Sequence, residues 1–474
     1  MLRTFFLVLI GALSLAPMAI AAEAPPIASS VADSDERTPV AVPIPTPRAL
    51  QYYRTGNWLW GFNQIWGFAI PAVILWSGLS ARLRNAAQRF AFVGQDASST
   101  GKLPPLSPAP NGKTPPHDEL EIEASPPPRT KGRLRCAGSW FLTIGIYVVL
   151  YLLIVFLIDL PLSYYQGFVR QHEYGLSNQS FARWFSDSWK QLGVEALTGF
   201  LFTWIPLLLI ARRPRRWWLD TTLLTIPFLF VVVLVKPVWV DPLFNRFGPM
   251  KNQELERKIV ALAEQAGIGG SEIFEVDKSR DTKAMNAYVT GVFGTRRVVL
   301  WDTLIGKLDD RQVLAVMGHE MGHYVLGHIP RSIVLSSVLT FAGLFWVDRA
   351  GRWLIRRNQG RFGFEQLSDA AAIPLILLLM HASSLVFVPF ANAYSRYQEH
   401  EADRFSLEIT RSNRSAAQAF ATLQRENLSN PRPGLFFKAW RSTHPSIAER
   451  IEFCNAYRPW ETGKPLRYGE LWRR

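Results

Sequence analysis

His319 and His323 stand four residues apart in the stretch GHEMGHYVLGH (318–328), and Glu320 follows the first of them directly. On a helix that spacing puts both imidazoles on one face, one turn apart. Two neutral imidazoles so placed can bind one zinc ion, and a carboxylate beside the first can take a proton from a water that the metal activates. That is the mechanical content of an H-E-x-x-H motif. The pair is not a complete site, because a catalytic zinc takes three protein ligands and leaves a fourth position open. His328, five residues past His323, falls off the ligand face of a continuous helix and reads as structural. A histidine six residues after the second ligand is absent, since that position is Ile329. The third ligand must come from further along the chain.

The stretch SRYQEHEADRFSLEIT (395–410) is dense in carboxylates. On a helix Glu399 and Asp403 share a face, so that one can bind the metal while the other orients a ligand histidine. Spacing does not choose between Glu399 and Glu401. The competing reading is a run of ordinary solvated charges.

Several elements must position these groups. NQELERKIVALAEQAGI (252–268) puts Leu255, Ile259, Leu262 and Ala266 on one helical face. EIFEVD (272–277) reads as a short strand, and the alternation on either side of Gly291–Gly294 predicts a hairpin from about Ala287 to Trp301. The helix carrying the motif has Asp309 or Asp310 as its N-cap, and the chain from Glu399 onwards is mainly helical.

The chain is 474 residues long, 48% hydrophobic and only 19% charged, with 17 Trp and 30 Phe, a mix that places much of its length in lipid. It opens with Arg3, an apolar run from Phe5 to Leu15 and then Ala19-Ile20-Ala21, the order of a secretory signal peptide over 1–22, with an uncleaved anchor helix as the rival reading. A Pro-rich segment follows over 23–57, extended to about Pro47. Six apolar segments come near the ~20 residues that cross a bilayer. They lie near Trp58–Gly78, Gly138–Leu162, Leu192–Ile210, Trp218–Val240, Ser332–Val347 and Ile373–Ala391, the fifth being the shortest. The expected domains are a four-helix membrane region over 58–240 with a Pro-rich loop at 98–135, a first water-facing part over 241–330, two further spans over 331–393, and a second water-facing part over 394–474.

The net charge of +14 comes largely from short basic runs beside these segments: Arg82 to Arg89, Arg129 to Arg135, Arg212 to Arg216 and Arg349 to Arg361. The positive-inside rule makes those loops cytoplasmic, which places Asp241–Pro330 and everything after Ala391 on the trans, periplasmic side of an inner (plasma) membrane. It also sets nucleic-acid binding aside. The two cysteines, Cys136 and Cys454, then fall on opposite faces and form neither a disulfide framework nor a Cys-based zinc site.

HEMGH, SRYQEHEAD, NAYVTG and THPSIAERI, with the upstream stretches LPLSYYQGFVRQHEYGLSNQSFARWFSD and DPLFNRFGPMKNQELERKI, resemble the integral-membrane zinc endopeptidases of the CAAX prenyl protease 1 type, a gluzincin family. The resemblance covers roughly Leu160 to Arg450. It implies Glu399 as the third zinc ligand and Asp403 as the residue behind it. It places Asn286 beside the strand that carries the substrate backbone, and His444 near the cleft, where it can stabilise an oxyanion. An exposed strand at Ala287–Thr290, with Ala287 and Tyr288 leading it, would pair with an extended peptide by backbone hydrogen bonds. Arg396 and Arg450 are expected as structural ion-pair partners rather than catalysts.

The expected protein is thus a mainly α membrane protein of about six transmembrane helices, with a small α+β zincin-like metalloprotease domain split by two spans. Its cofactor is one Zn2+ per chain, and its partners are a peptide or protein substrate and membrane lipid. Eukaryotic relatives carry an additional span before the matching region and turn the zinc domain to the cytosol. With that domain on the trans side, misfolded or exported proteins are more natural substrates than prenylated C-a-a-X tails. Two other classes compete. A zinc-stabilised chaperone or scaffold would not need Glu320, and a transporter would need more ionisable residues in its spans. An H-E-x-x-H helix lying in lipid is disfavoured because Asp309, Asp310, Arg311 and Gln312 open it.

Overall fold

A computed structural model of the protein describes residues 36–92, 131–290, 297–358 and 360–472. The expected signal segment lies outside the described residues, as do most of the Pro-rich loop and the hairpin tip at 291–296. Six helical stretches among the described residues are long and apolar enough to cross a membrane: Pro47–Trp76, Gly138–Glu173, Phe181–Arg212, Trp217–Leu243, His328–Arg357 and Ala370–Thr410. All six overlap the expected spans, and the fifth is a full 30-residue helix. The first begins earlier than the expected Trp58, at Pro47, where the extended stretch ends. Thr46 accepts a hydrogen bond from the Ala49 N–H and Pro47 occupies the first turn, a strong helix start. Residues 36–46 do lack regular structure, but they are held down: Val40 and Asn455 exchange two hydrogen bonds, and Glu36 accepts from the Arg414 N–H and the Ser415 hydroxyl.

In chain order the longer α-helices among the described residues are α1 (Pro47–Trp76), α2 (Leu79–Phe92), α3 (Lys131–Tyr164), α4 (Phe181–Phe202), α5 (Trp204–Arg212), α6 (Trp217–Val235), α7 (Gln253–Gln265), α8 (Asp310–Val325), α9 (His328–Arg357), α10 (Ile373–Thr410), α11 (Asn413–Glu426), α12 (Leu435–Trp440) and α13 (Ile447–Ala456). Within the membrane bundle two indole–carboxylate pairs satisfy polar groups that hydrocarbon would leave bare. The Trp217 indole donates to Asp348 at 2.7 Å, and Trp66 donates to Asp159 at 2.7 Å. The basic loops gather at one end: Arg84 reaches the Gly363 carbonyl and Asp369, and Arg352 reaches Asp348 and the Pro214 carbonyl. Pro389 has no N–H to give and so releases the Leu385 carbonyl inside α10. Trp440 of α12 donates its indole N–H to that carbonyl at 3.0 Å.

The water-facing part is a four-stranded sheet in the order β1-β2-β4-β3, with β1 Phe247–Gly248, β2 Glu272–Val276, β3 Ala287–Thr290 and β4 Arg297–Trp301. β3 pairs antiparallel with β4, Ala287 opposite Leu300, as the expected hairpin requires. β2 lies parallel to β4, and β3 is an edge. α7 and α8 cover the sheet. Leu255, Ile259 and Leu262 meet Val298, Leu300, Met317 and Met321 in one buried cluster.

Candidate active site

Asp309, not Asp310, caps α8 by accepting from the Gln312 N–H at 2.9 Å. One face of α8 enters the core under the sheet, and the other packs on α10. Glycines set how close the two helices come. A Cβ on Gly318 would stand 3.0 Å from the Ser406 Oγ, and one on Gly322 would stand 3.1 Å from the Phe405 Cβ and 3.2 Å from the Ala402 Cα. Each glycine directly precedes one of the two motif histidines. Those histidines are thereby carried up against α10, which bears Glu399 and Asp403.

The three expected ligand residues converge. The Nε2 atoms of His319 and His323 lie 3.1 Å apart. Glu399 places Oε2 3.2 Å from the first and Oε1 3.3 Å from the second. All three side chains are buried, and their donor atoms lie within 4.8 Å of one another, a set of two nitrogens and an oxygen that can hold a metal ion. Glu401 faces elsewhere, engaging Arg404, Arg467 and the Tyr468 hydroxyl.

Asp403 stands behind His319, its Oδ1 2.8 Å from Nδ1. Arg450 clamps the same carboxylate with contacts of 2.9 and 2.5 Å and lies over the Phe420 ring. The expected structural ion pair is therefore present at Arg450. Arg396 differs: its guanidinium bonds the Lys438 and Ser442 carbonyls at 2.5 and 2.8 Å. These end short helix α12 and the loop before His444, so Arg396 fixes backbone rather than balancing a charge. Burial and the Arg450 cation press the His319 pKa down, yet Asp403 and Glu399 hold it up to about 9. A metal ion at Nε2 requires the neutral ring, so binding there releases a proton. Burial lifts the Glu320 carboxyl above its ordinary range, against the pull of His319 and His323.

Glu320 and the three convergent residues line a cavity of about 650 Å³. Asn286, Ala287 and Tyr288 form part of the same wall, and His444 completes the mouth. The Asn286 side chain accepts from the Ala287 N–H at 3.0 Å, while its carbonyl accepts from the Trp301 N–H at 3.1 Å. His444 keeps 56% of its side-chain surface exposed, places Nε2 3.3 Å from Glu399 Oε1 and shares a 2.8 Å hydrogen bond with the Thr443 hydroxyl. At its far end the cavity runs between the last two spans, past Thr340, His381 and Phe387. Every expected site residue thus borders one space, apart from Asp403, which lies behind it.

Residues 249–458 match the pattern of peptidase family M48, and residues 47–246 match the CAAX prenyl protease N-terminal region, described as having five membrane helices. An uncharacterized metalloprotease of Bacillus subtilis (strain 168) is 40% identical over 314 residues, covering 65% of this chain and 72% of that one. The chain belongs to the M48 family. It is a multi-pass membrane metalloendopeptidase. Four of its six candidate spans fall within 47–246, where the family pattern has five membrane helices. The CAAX prenyl protease 1 of Saccharomyces cerevisiae is 28% identical over 313 residues, covering 62% of this chain and 68% of its own. In fold, the crystal structure of S. mikatae Ste24p superposes with a TM-score of 0.65 at 22% identity, covering 91% of each chain.

Three features of the M48 site escaped sequence reasoning. Gly318 and Gly322 carried a signal, small residues four apart, whose meaning depends on Phe405 and Ala402 far along the chain. His328 was set aside on the assumption of an unbroken helix, but α8 ends at Val325 and His328 returns to the site. There its Nδ1 lies 2.9 Å from the Nδ1 of His323. The Asp403–Arg450 clamp joins residues 47 apart, a pairing that local spacing does not predict.

Proposed function

We propose that this M48 chain is a zinc endopeptidase whose ion is held by His319, His323 and Glu399. The reading rests above all on the convergence of those three donor sets beside Glu320 in a cavity that a sheet edge borders. Two imidazoles and a carboxylate are a catalytic zinc donor set. Zinc bound there supplies a Lewis acid that polarises a carbonyl and makes water a nucleophile at neutral pH.

The chain's own groups do the rest. β3 receives an extended peptide along its free edge, and backbone pairing makes the choice of sequence broad. Glu320 accepts the proton of the attacking water and returns it to the leaving amine, a task suited to a carboxyl whose hold on a proton burial strengthens. His444, at the exposed mouth, donates to the developing oxyanion. Asp403 holds the His319 ring in the orientation that presents Nε2.

Glu320→Gln in detergent-purified protein is expected to retain bound zinc and lose casein cleavage. Equal cleavage by the two proteins would sink the mechanism. The basic loops at one end of the bundle support a water-facing domain on the trans side of an inner membrane, with misfolded or exported proteins as substrates. A reporter active only in the cytosol, fused after Arg474, should be silent. A second reading is processing of prenylated C-terminal peptides. It draws on the names of the relatives and on the cavity's extension between the spans. Cleavage of a prenylated peptide in clear preference to the same peptide without its prenyl group would favour it.

A further inference from the structure

We infer that His328 is the positioning residue of the second ligand histidine, the neutral counterpart of what Asp403 is to the first. This rests on the reading of His319, His323 and Glu399 as metal ligands. In both motif histidines Nε2 points into the convergent cluster, so Nδ1 carries the remaining hydrogen of a ligating imidazole. The Nδ1–H of His319 has Asp403 before it at 2.8 Å. The Nδ1–H of His323 meets the Nδ1 of His328 at 2.9 Å, with the two rings inclined at 73°. Only a lone pair on His328 Nδ1 can accept that hydrogen, which puts the single proton of the His328 ring on Nε2. That Nε2 is buried with no hydrogen-bond partner among the described residues. The unpaired atom is the cost of keeping the acceptor side of the ring turned to His323.

The backbone is built to bring His328 there. Five residues along a continuous helix it would point roughly 140° away from His323. Instead α8 stops, Gly327 takes the left-handed conformation at φ 64°, and α9 restarts at His328. A β-carbon at Gly327 would strain that turn. From α10, Gln398 fixes the result: its Nε2 donates to the His328 carbonyl at 3.2 Å, and its Oε1 accepts from Ser332 at 3.1 Å. The ring is 0% exposed and so takes part in no solvent exchange of partners. Partner residues of this kind hold a ligand ring in one tautomer and one orientation.

The test is metal retention rather than turnover. In His328→Asn the side-chain Oδ1 stands where Nδ1 stood, so the acceptor is kept. In His328→Leu the volume is filled and the acceptor is gone. Purified wild type and both variants are titrated with a graded zinc chelator. Bound zinc is measured by mass spectrometry, and melting is recorded with chelator in excess so that folding is scored apart from metal. The Leu variant is expected to release zinc at about 10- to 100-fold lower chelator strength, and the Asn variant within a few-fold of wild type. Wild-type retention by the Leu variant, or loss by the Asn variant equal to that by Leu, would overturn the inference. Should the Leu protein not fold, His328→Gln replaces it. Its acceptor lies one bond too far, and retention like wild type would be equally fatal. A wild type that binds no zinc at all would instead sink the ligand assignment on which the inference rests.

Discussion

The side of the cleft that gathers His319, His323 and Glu399 is helix packed on helix, whereas the side that would face a substrate is a sheet edge and one exposed loop histidine. On the first side the glycines at 318 and 322 remove the distance between α8 and α10, and Asp403 is locked to Arg450 out of water. On the second, β3 has a neighbour along one edge alone, and His444 is more than half exposed. The contrast follows from what each side must do. Ligands need fixed geometry before the ion arrives, and fixed geometry comes from close packing and paired charge. A surface that receives many peptides needs unpaired backbone groups and room.

Substitutions can break that contrast. The largest loss of stability is expected from Arg450→Met, which removes the guanidinium from the buried Asp403 carboxylate and leaves it His319 alone, at about 3–5 kcal/mol. Chemical denaturation in detergent would measure it, and Asp403→Asn in the same chain should recover much of the loss. A change below about 1 kcal/mol would show that the clamp is ornamental. On the open side, His444→Ala should leave the melting curve where it was and lower kcat on the order of 100-fold, about 2.7 kcal/mol of activation. A fall in stability without a fall in kcat would place His444 on the packed side instead. Gly322→Ala is next, at about 1–3 kcal/mol, because the new methyl meets Phe405 and the α10 backbone. Zinc retention should fall with it, since the methyl pushes His323 away from Glu399.

The smallest effect is one of pH. Partial burial pushes the Glu449 carboxyl up, but Lys438 and the capping bonds from Ser446 outweigh it and hold the group below its ordinary value. A carboxyl lowered in the folded state adds stability above its unfolded pKa of about 4.3, and that contribution is lost as pH falls through the folded value. Glu449→Gln should therefore melt slightly lower than wild type at pH 7 and converge with it in acid. Parallel curves across that range would remove Glu449 from the support of α13 and Arg450.

The side that carries the proposed ligands is the more legible in sequence. A fixed four-residue spacing and an Asp cap identified α8, and alternation about Gly291–Gly294 identified the β3–β4 pair. The choice of Glu399 over Glu401 needed resemblance, because what turns Glu401 away is Arg467 and Tyr468, more than sixty residues later. Periodicity keeps His328 off the ligand face as a structural residue but does not predict its contact with His323, because one left-handed glycine ends the helix between them. The early start of α1 was visible in Thr46-Pro47. Hydropathy does not mark it, because the first turns of that helix are poor in aliphatic side chains.

α10 is one element of 38 residues running from Ile373 to Thr410, and both Glu399 and Asp403 ride on it. At a rise of about 1.5 Å per residue its length is roughly 57 Å, against about 30 Å of hydrocarbon. A helix of that length is long enough to cross the bilayer and continue out of it, and it carries Glu399 about 39 Å along its axis from Ile373. The enzyme carries a built-in depth gauge. A continuous helix, rather than a loop, sets how far the Glu399 carboxylate stands from the lipid-crossing part of the chain.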